Sequence, residues 1–120
     1  MRRTTPKPSA RFRLRVSAGD VIAVGPGKIA LIEAIRDTGS ITAAAKSLDM
    51  SYRRAWMLVD QLNTSLKAPA VRSAIGGERG GGSELTEVGV ELVRLYRRIE
   101  ERAIKACAAD LKSVLGLIAR

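Results

Sequence analysis

The chain has 120 residues, a formal net charge of +9, 46% hydrophobic residues and only 3% aromatic residues. These values fit one ordinary domain with an aliphatic core. The chain has no histidine, so it lacks the commonest metal ligand and general base, and its single cysteine, Cys107, excludes an internal disulfide. We therefore expect no catalytic residue, no metal site, no cofactor and no enzymatic activity.

The excess of positive charge predicts a polyanionic partner. Nucleic acid is the first candidate, and an anionic membrane surface, an acidic protein or simple solubility are the alternatives. No apolar run approaches the roughly 20 residues that span a bilayer. No apolar segment of a secretion signal follows Arg2 and Arg3. We expect a cytoplasmic protein that does not bind membranes.

The first part of the chain is basic and extended in pattern. Residues 1–10 contain no acid and predict a disordered arm, which serves either as a solubilising tail or as a phosphate-binding arm. Residues 11–16 alternate arginine with apolar side chains, which predicts a half-buried strand with a basic outer face. A second short apolar run, residues 21–24, follows a turn.

Three helices are predicted next, at residues 26–37, 40–48 and 51–66, with Ser40 and Ser51 as N-caps of the last two. Two short helices joined by a tight turn are typical of a helix-turn-helix. Small side chains at Ala44 and Ala45 allow close crossing of the two helices. In the 51–66 helix, a stripe of three apolar residues predicts the buried face, formed by Ala55, Val59 and Leu62.

The start of the 51–66 helix is left exposed by this pattern. Recognition helices present their N-terminal residues to the major groove, where arginine bonds bidentately to guanine and the helix N-terminus favours phosphate. We expect DNA contacts from Ser51, Tyr52, Arg53 and Arg54. The alternative is a solvated arginine pair on an amphipathic helix. Trp56, placed beside Ala55 on the helical wheel, is expected to pack in the core, with a DNA-facing position as the alternative.

A glycine-rich tip at residues 76–82 lies between two short predicted strands, residues 71–75 and 83–86. Glycine allows the main chain to approach a phosphate backbone closely, so the pattern predicts a wing. Its expected contacts are Arg72, Arg79, Gly80 and Gly81. The alternative is a loose hairpin turn without a partner.

Two glycine motifs resemble nucleotide-binding loops and fail on context. Gly25 to Ala30 fits the dinucleotide pattern, but Asp49, the acid at the required distance, lies in the helix-turn-helix turn. The stretch from Gly76 to Ser83 lacks the lysine of a P-loop. Neither motif predicts an enzyme.

One long helix is predicted from Glu87 to Gly116 or beyond. Apolar residues recur along it at spacings of three and four, which predicts either self-association or folding back on the domain. We favour a homodimer, because dimers on two-fold symmetric sites are common for this motif. The expected dimer residues are Leu92, Tyr96, Ile99, Ala103, Leu111 and Val114.

Together these elements predict a mainly α fold with a small β component, a winged helix-turn-helix plus a long C-terminal helix. The domains are an arm at residues 1–10, a DNA-binding domain at 11–86 and a dimerisation helix at 87–120. The predicted function is a sequence-specific regulator of transcription that binds double-stranded DNA as a homodimer. The alternative is a protein-interaction module that docks a partner through the C-terminal helix.

Several strings of residues resemble a known family. Gly39-Ser40-Ile41, the run from Met50 to Trp56 and the glycine wing followed by Leu85-Thr86 look like the N-terminal domain of the molybdate-responsive ModE regulators. That domain is a LysR-type winged helix-turn-helix, and the resemblance covers roughly residues 11–105.

The resemblance implies a dimeric transcription regulator whose strand and long helix build the dimer. It implies DNA contacts from residues 51–54 and wing contacts near Arg79. Full-length members continue into oxyanion-binding domains, whereas this chain ends at Arg120. We therefore expect no direct binding of molybdate by this chain.

Overall fold

The computed structural model describes residues 6–74 and 82–118. Within these residues, five helices and two antiparallel strand pairs confirm the predicted mainly α class with a small β component. In chain order the elements are β1 (Val16–Ala18), β2 (Val21–Val24), α1 (Pro26–Thr38), α2 (Ile41–Ser47), α3 (Tyr52–Ser65), β3 (Val71–Ala74), β4 (Gly82–Leu85), α4 (Glu87–Ala106) and α5 (Ala108–Gly116). Strand β1 pairs with β2, and β3 pairs with β4.

Helix α1 is the centre of the core. Its residues Ile29, Ile32 and Ile35 have no exposed surface. Helices α2 and α3 cross beside it at alanines: Ala44 and Ala55 are fully buried, and Ala45 is nearly so. The absence of larger side chains at these positions lets the two helices approach closely. The buried stripe predicted on α3, which includes Val59 and Leu62, is confirmed.

Both serine caps form as predicted. The hydroxyl oxygen of Ser40 accepts the N–H of Ala43 at 3.0 Å, and that of Ser51 accepts the N–H of Arg54 at 3.1 Å. Each bond satisfies one of the free donors at a helix start. Between the helices, Asp49 adopts a φ of 56°, a left-handed conformation that aspartate tolerates better than most residues. This conformation lets the chain reverse within a short turn.

The β3–β4 hairpin is the wing, with Arg72 opposite Glu84 and Ser73 opposite Ser83. Its base is attached to the helices by hydrogen bonds. The N–H of Ser83 donates to the carbonyl of Gly39 at 2.9 Å. The side-chain amide of Asn63 donates to the carbonyl of Val71 at 3.0 Å. The wing is therefore held against the helix-turn-helix from two sides.

The strand predicted at residues 11–16 is wrong for most of its length, because only Val16 belongs to a strand. The alternation nevertheless has a structural meaning. Phe12 and Leu14 are half-buried, and they line a groove with Ile99 and Ala103 of α4. The segment packs on a helix and not beside another strand, so its main chain forms no ladder.

Two adjacent residues of α4, Tyr96 and Arg97, form hydrogen bonds to other parts of the domain. The guanidinium of Arg97 donates to the carboxylate of Glu33 in α1 at 2.9 Å and to that of Glu100 at 2.7 Å. These charge-assisted bonds raise the pKa of Arg97. The hydroxyl of Tyr96 donates to the carbonyl of Leu14 at 2.8 Å. Burial raises the pKa of this tyrosine.

We expect Tyr96→Phe to lower the free energy of unfolding by about 1–2 kcal/mol, because the carbonyl of the half-buried Leu14 loses its donor. Urea unfolding followed by circular dichroism measures the change. Tyr52→Phe is the matched control, because Tyr52 is 54% exposed. We expect the control to change stability by less than about 0.5 kcal/mol. Equal effects of the two substitutions would contradict the role of the Tyr96 hydroxyl.

The single helix predicted from residue 87 to 116 is interrupted at Cys107, where α4 ends and α5 begins. Cys107 has φ −104° and ψ 9°, outside the helical range, although its N–H still bonds to the carbonyl of Ala103 at 3.0 Å. Neither proline nor glycine stands at this position, and the one irregularity in the sequence pattern is the slip in apolar spacing between Ala103 and Cys107. Within the described ranges, no helix combines the length and apolar character needed to cross a membrane.

Candidate nucleic-acid interface

An α-helix has 3.6 residues per turn, so successive side chains of α3 point to different sides of the helix. Four sides can be distinguished by what they contact. One side is buried in the core through Ala55, Val59 and Leu62. The opposite side carries Arg53, Met57 and Asp60, all of them exposed. The two remaining sides face the wing and the β1–β2 hairpin. The helix is thus packed on one side, flanked on two and open on the fourth.

The open side begins with Arg53 in the first turn of α3. No ion pair to Arg53 is found among the described residues, so its guanidinium donors are available. Met57, one turn further, is 44% exposed and presents an apolar surface next to it. Arginine bonds to guanine and an apolar contact to the thymine methyl group are both typical of major-groove recognition.

The wing side of α3 carries Tyr52 and Trp56. Together with Ser73 and Ser83 of the wing and Thr42 of α2, they line a groove of about 320 Å³. Trp56 is 52% exposed, so the expectation that it packs in the core is wrong. Its neighbour Ala55 points inwards, and the next helical position turns towards the wing. Hydroxyl and aromatic groups of this kind can contact phosphates and sugars.

The third side of α3 faces the β1–β2 hairpin. Arg54, Leu58 and Gln61 lie at successive turns on this side and line a cleft of about 480 Å³. The two arginines of the first turn therefore point in different directions: Arg53 faces outwards and Arg54 faces the cleft. The sequence placed Ser51 to Arg54 in one contact surface, and the structure separates them onto three sides.

The wing residues are only partly described. Arg72 is exposed, and its guanidinium lies 3.7 Å from a carboxylate oxygen of Glu84 on the paired strand. An exposed pair at this distance holds its arginine weakly. Arg79, Gly80 and Gly81 lie outside the described residues, as does most of the predicted tip.

One side of α4 forms a second exposed surface, which is apolar. Val88, Leu92, Leu95 and Ile99 recur at spacings of four, three and four, with Ala103 continuing the row. Leu95 and Ile99 are 42% and 48% exposed. This row, which we call the α4 stripe, flanks an apolar groove of about 350 Å³ next to Leu66. Its unpaired apolar area is typical of an interaction surface.

Three of the six predicted dimer residues lie on this surface, and three lie elsewhere. Leu92, Ile99 and Ala103 lie on the α4 stripe. Tyr96 is 2% exposed and belongs to the core of its own domain, so it offers no surface to a partner. Leu111 is half-buried and Val114 is exposed, both on α5 beyond the break. Val88 and Leu95 belong to the stripe but were not among the predicted residues, although the spacing of Leu95 from Leu92 and Ile99 follows the same pattern.

In the part of the chain that the structure describes, no three histidine, cysteine or acidic residues come together to hold a metal ion. The pair β1–β2 is an antiparallel hairpin before α1, so the glycine motif at residues 25–30 lacks the parallel β-α-β unit of a dinucleotide site. Around α3, the exposed side chains supply arginine, hydroxyl and aromatic groups.

Residues 27–90 match the family described as bacterial regulatory helix-turn-helix protein, lysR family. The chain belongs to the LysR family of bacterial regulators. The match includes α1 to α3, the wing and the start of α4, which are the elements that form the surface described above. The family consists of DNA-binding transcription regulators and not of enzymes, in agreement with the expectation from the sequence.

This LysR-type chain is similar to three curated relatives. The molybdenum-pterin-binding protein MopB of Rhodobacter capsulatus is 42% identical over 91 residues, covering 76% of this chain and 34% of that protein. The molybdenum transport protein ModE of Azotobacter vinelandii is 35% identical, with 90% and 42% covered. The DNA-binding transcriptional dual regulator ModE of Escherichia coli K12 is 34% identical, with 92% and 45% covered.

These similarities confirm the resemblance to the ModE regulators. The LysR-type chain spans less than half the length of the three relatives. Two solved structures share its fold. The CbnR_DBD–DNA complex has a TM-score of 0.56 at 24% identity and covers 73% of this chain and 95% of that one. ArgP from Mycobacterium tuberculosis has a TM-score of 0.52 at 21% identity, covering 70% and 30%.

Proposed function

We propose that the chain is a sequence-specific regulator of transcription that binds double-stranded DNA as a homodimer, with α3 in the major groove and the wing on the backbone. One observation carries the proposal: the open side of α3 starts with an exposed Arg53 that has no ion pair among the described residues, while the flanks of the same helix are lined with groups that suit phosphate and sugar. Family membership and the net charge of +9 support it.

In this proposal the residues of the first turn have separate roles. Arg53 reads base edges, and Met57 contacts the groove beside it. The hydroxyl of Ser51 accepts a backbone N–H as a cap and keeps its own proton to donate to a phosphate. Tyr52 contacts the backbone on the wing side, together with Arg72, Arg79, Gly80 and Gly81 of the wing. Arg54 contacts the backbone on the hairpin side.

The homodimer is assigned to the α4 stripe. Two copies of this row, packed against each other, would bury apolar side chains that a monomer leaves in water. Phe12 and Leu14 border the same surface through the groove that they share with Ile99 and Ala103. A two-fold arrangement of this kind presents two recognition helices to the two halves of a palindromic site.

Two relatives carry molybdenum in their names. We propose that the genes controlled by this chain are also connected with molybdenum. The family match over residues 27–90 supports the assignment of DNA binding to this chain, and we assign it no binding of molybdate. Selection of sites from a random duplex library gives the DNA sequence for the tests, independent of any gene assignment.

We expect Arg53→Ala to weaken binding to the selected duplex by about 1–3 kcal/mol, because a bidentate arginine–guanine contact is lost. Binding to a random duplex should hardly change. Fluorescence anisotropy measures both affinities. Arg98→Ala, an equal loss of charge on the exposed face of α4, is the control and should leave both unchanged. If Arg53→Ala weakened both duplexes equally, Arg53 would be a phosphate contact and not a base contact.

A further inference from the structure

A basic cleft separates α3 from the N-terminal segment and the β1–β2 hairpin. Its volume is about 480 Å³, and its lining includes four cationic residues, Arg13, Arg15, Lys28 and Arg54. Asp20 is the one acid among the lining residues. The cations come from three separate parts of the chain, so the fold and not a local charge run brings them together. A concave surface of one charge concentrates the field on an opposite charge.

The structure holds these cations in place through their neighbours. The backbone beside Arg13 is fixed by the bond from the Tyr96 hydroxyl to the carbonyl of Leu14. The stem of Arg15 packs over Gly25, with its Cγ 3.7 Å from where a Cβ of that glycine would lie. Lys28 is buried, its ammonium donates to the carbonyl of Ile22, and burial lowers its pKa. Lys28 therefore supports the hairpin, and the arginines face the solvent.

The arginines of the cleft are free to bind. Among residues 6–74 and 82–118, Arg13, Arg15 and Arg54 have no ion pair. Arg13 and Arg15 are exposed. A cluster of unpaired like charges repels itself, and an anion between them removes that repulsion.

The position of the cleft beside α3 indicates which kind of anion it would bind. A helix in the major groove, which is about 12 Å wide, has one phosphate backbone on each side. In this chain the side of α3 with Tyr52 and Trp56 faces the β3–β4 wing. The side with Arg54, Leu58 and Gln61 faces the β1–β2 hairpin. With α3 in the groove, the wing adjoins one DNA strand and the cleft adjoins the other.

We infer that the β1–β2 hairpin and the segment before it form a second wing, whose cleft binds backbone phosphates of the DNA strand opposite the one that the β3–β4 wing contacts. Arg13 and Arg15 supply the charge from one wall, and Arg54 supplies it from α3. This inference rests on the proposed function, because it requires α3 to lie in the major groove. It extends the contact surface to residues that precede the helix-turn-helix.

The test compares the double variant Arg13→Gln/Arg15→Gln with the control Arg98→Gln/Lys112→Gln, which removes equal charge from exposed residues of α4 and α5 that do not line the cleft. Anisotropy across a range of salt concentrations gives the slope of log K against log salt. We expect the slope of the cleft variant to be less steep by about 2, close to 0.9 per lost phosphate contact. The loss of affinity should be similar on selected and random duplexes, and the control should keep the slope of the unmodified chain.

Each other outcome is distinct. An equal change of slope in both variants would show that net charge alone acts, which overturns the inference. A loss confined to the selected duplex would mean base contacts and would also overturn it. If the unmodified chain bound duplex DNA without salt dependence, the proposed function itself would fail. Saturable micromolar binding of inorganic phosphate to the arginine side chains, observed by NMR without a change of the DNA slope, would assign the cleft to a free oxyanion instead.

Discussion

Ile99→Glu is expected to convert the proposed homodimer into a monomer and to weaken binding to a palindromic site by roughly 100-fold or more, because the second half-site no longer benefits from the first. Ile99 lies near the middle of the α4 stripe and is 48% exposed in the single chain. In a two-fold interface the substitution places two carboxylates against apolar side chains, and burying an unpaired charge there is costly.

Ile104→Glu is the matched control. Ile104 is the same residue type on the same helix, and its exposure, 49%, is nearly identical. It lies off the α4 stripe, so the control should remain dimeric and keep its affinity. Analytical ultracentrifugation measures the oligomeric state, and binding to full and half sites measures the coupling. A dimer that survives Ile99→Glu but not Ile104→Glu would place the interface elsewhere on α4.

The loss of dimerisation also separates the two candidate functions of the C-terminal helix. If the unmodified chain is monomeric at concentrations where it binds DNA, the α4 stripe serves a partner of another kind. In that case Ile99→Glu would leave binding to the full palindromic site intact. A homodimer predicts that both the oligomeric state and the affinity for the full site change together.

Gly89→Ala is expected to destabilise the domain by about 3 kcal/mol or more, a large part of the stability of an ordinary domain. A Cβ at Gly89 would lie 3.1 Å from the carbonyl carbon of Ala70 and 3.3 Å from its Cα, and still closer to the carbonyl oxygen. That oxygen accepts the N–H of Thr86 at 2.9 Å, so the backbone cannot retreat without losing this bond. Thermal or urea unfolding measures the effect.

Gly27→Ala provides the comparison for this substitution. Gly27, like Gly89, lies in the first turn of a helix, but a Cβ there has no atom within 4 Å. We expect Gly27→Ala to leave stability unchanged or to raise it by up to about 1 kcal/mol, since alanine favours the helix. Similar destabilisation by both substitutions would show that helix geometry, and not the approach of α4 to Ala70, requires glycine at residue 89.

The helix-turn-helix could be predicted from the sequence because its signals are local. Ser40 and Ser51 each act on a backbone N–H three residues away, and the cap geometry is the same in any protein. The buried stripe of α3 follows from helical spacing alone. The resemblance to the ModE regulators was also carried by short strings within this region, where local structure and function coincide.

The predictions that were wrong depended on packing between distant segments. The alternation at residues 11–16 indicated burial of Phe12 and Leu14 correctly, but not that the covering element is α4, more than 80 residues further along the chain. Trp56 was assigned to the core because of its position beside Ala55, whereas Ala55 alone of the two is buried and Trp56 faces the wing. For such residues the side of the helix, and not the residue type, decides burial.

The apolar pattern of the C-terminal helix also failed to show which side chains pack on distant segments. Two apolar rows overlap on α4, and they share Leu92, Ile99 and Ala103. One row continues through Tyr96, which the domain uses for its own core, and the other through Leu95, which stays in solvent. Spacing alone cannot separate these rows, because both follow intervals of three and four. The partner of Tyr96 is the backbone at Leu14, which no local pattern reveals.

The bond between Arg97 and Glu33 of α1 affects which spacing of half-sites a dimer can bind. Together with the bond from Tyr96 to Leu14, this contact couples helix α4 to the core that supports α3. In the proposed dimer, the distance between two α3 helices would then follow from the angle at which the two α4 helices cross. Such a dimer would discriminate between sites by the separation of the two half-sites along the duplex, in addition to the base sequence of each half-site.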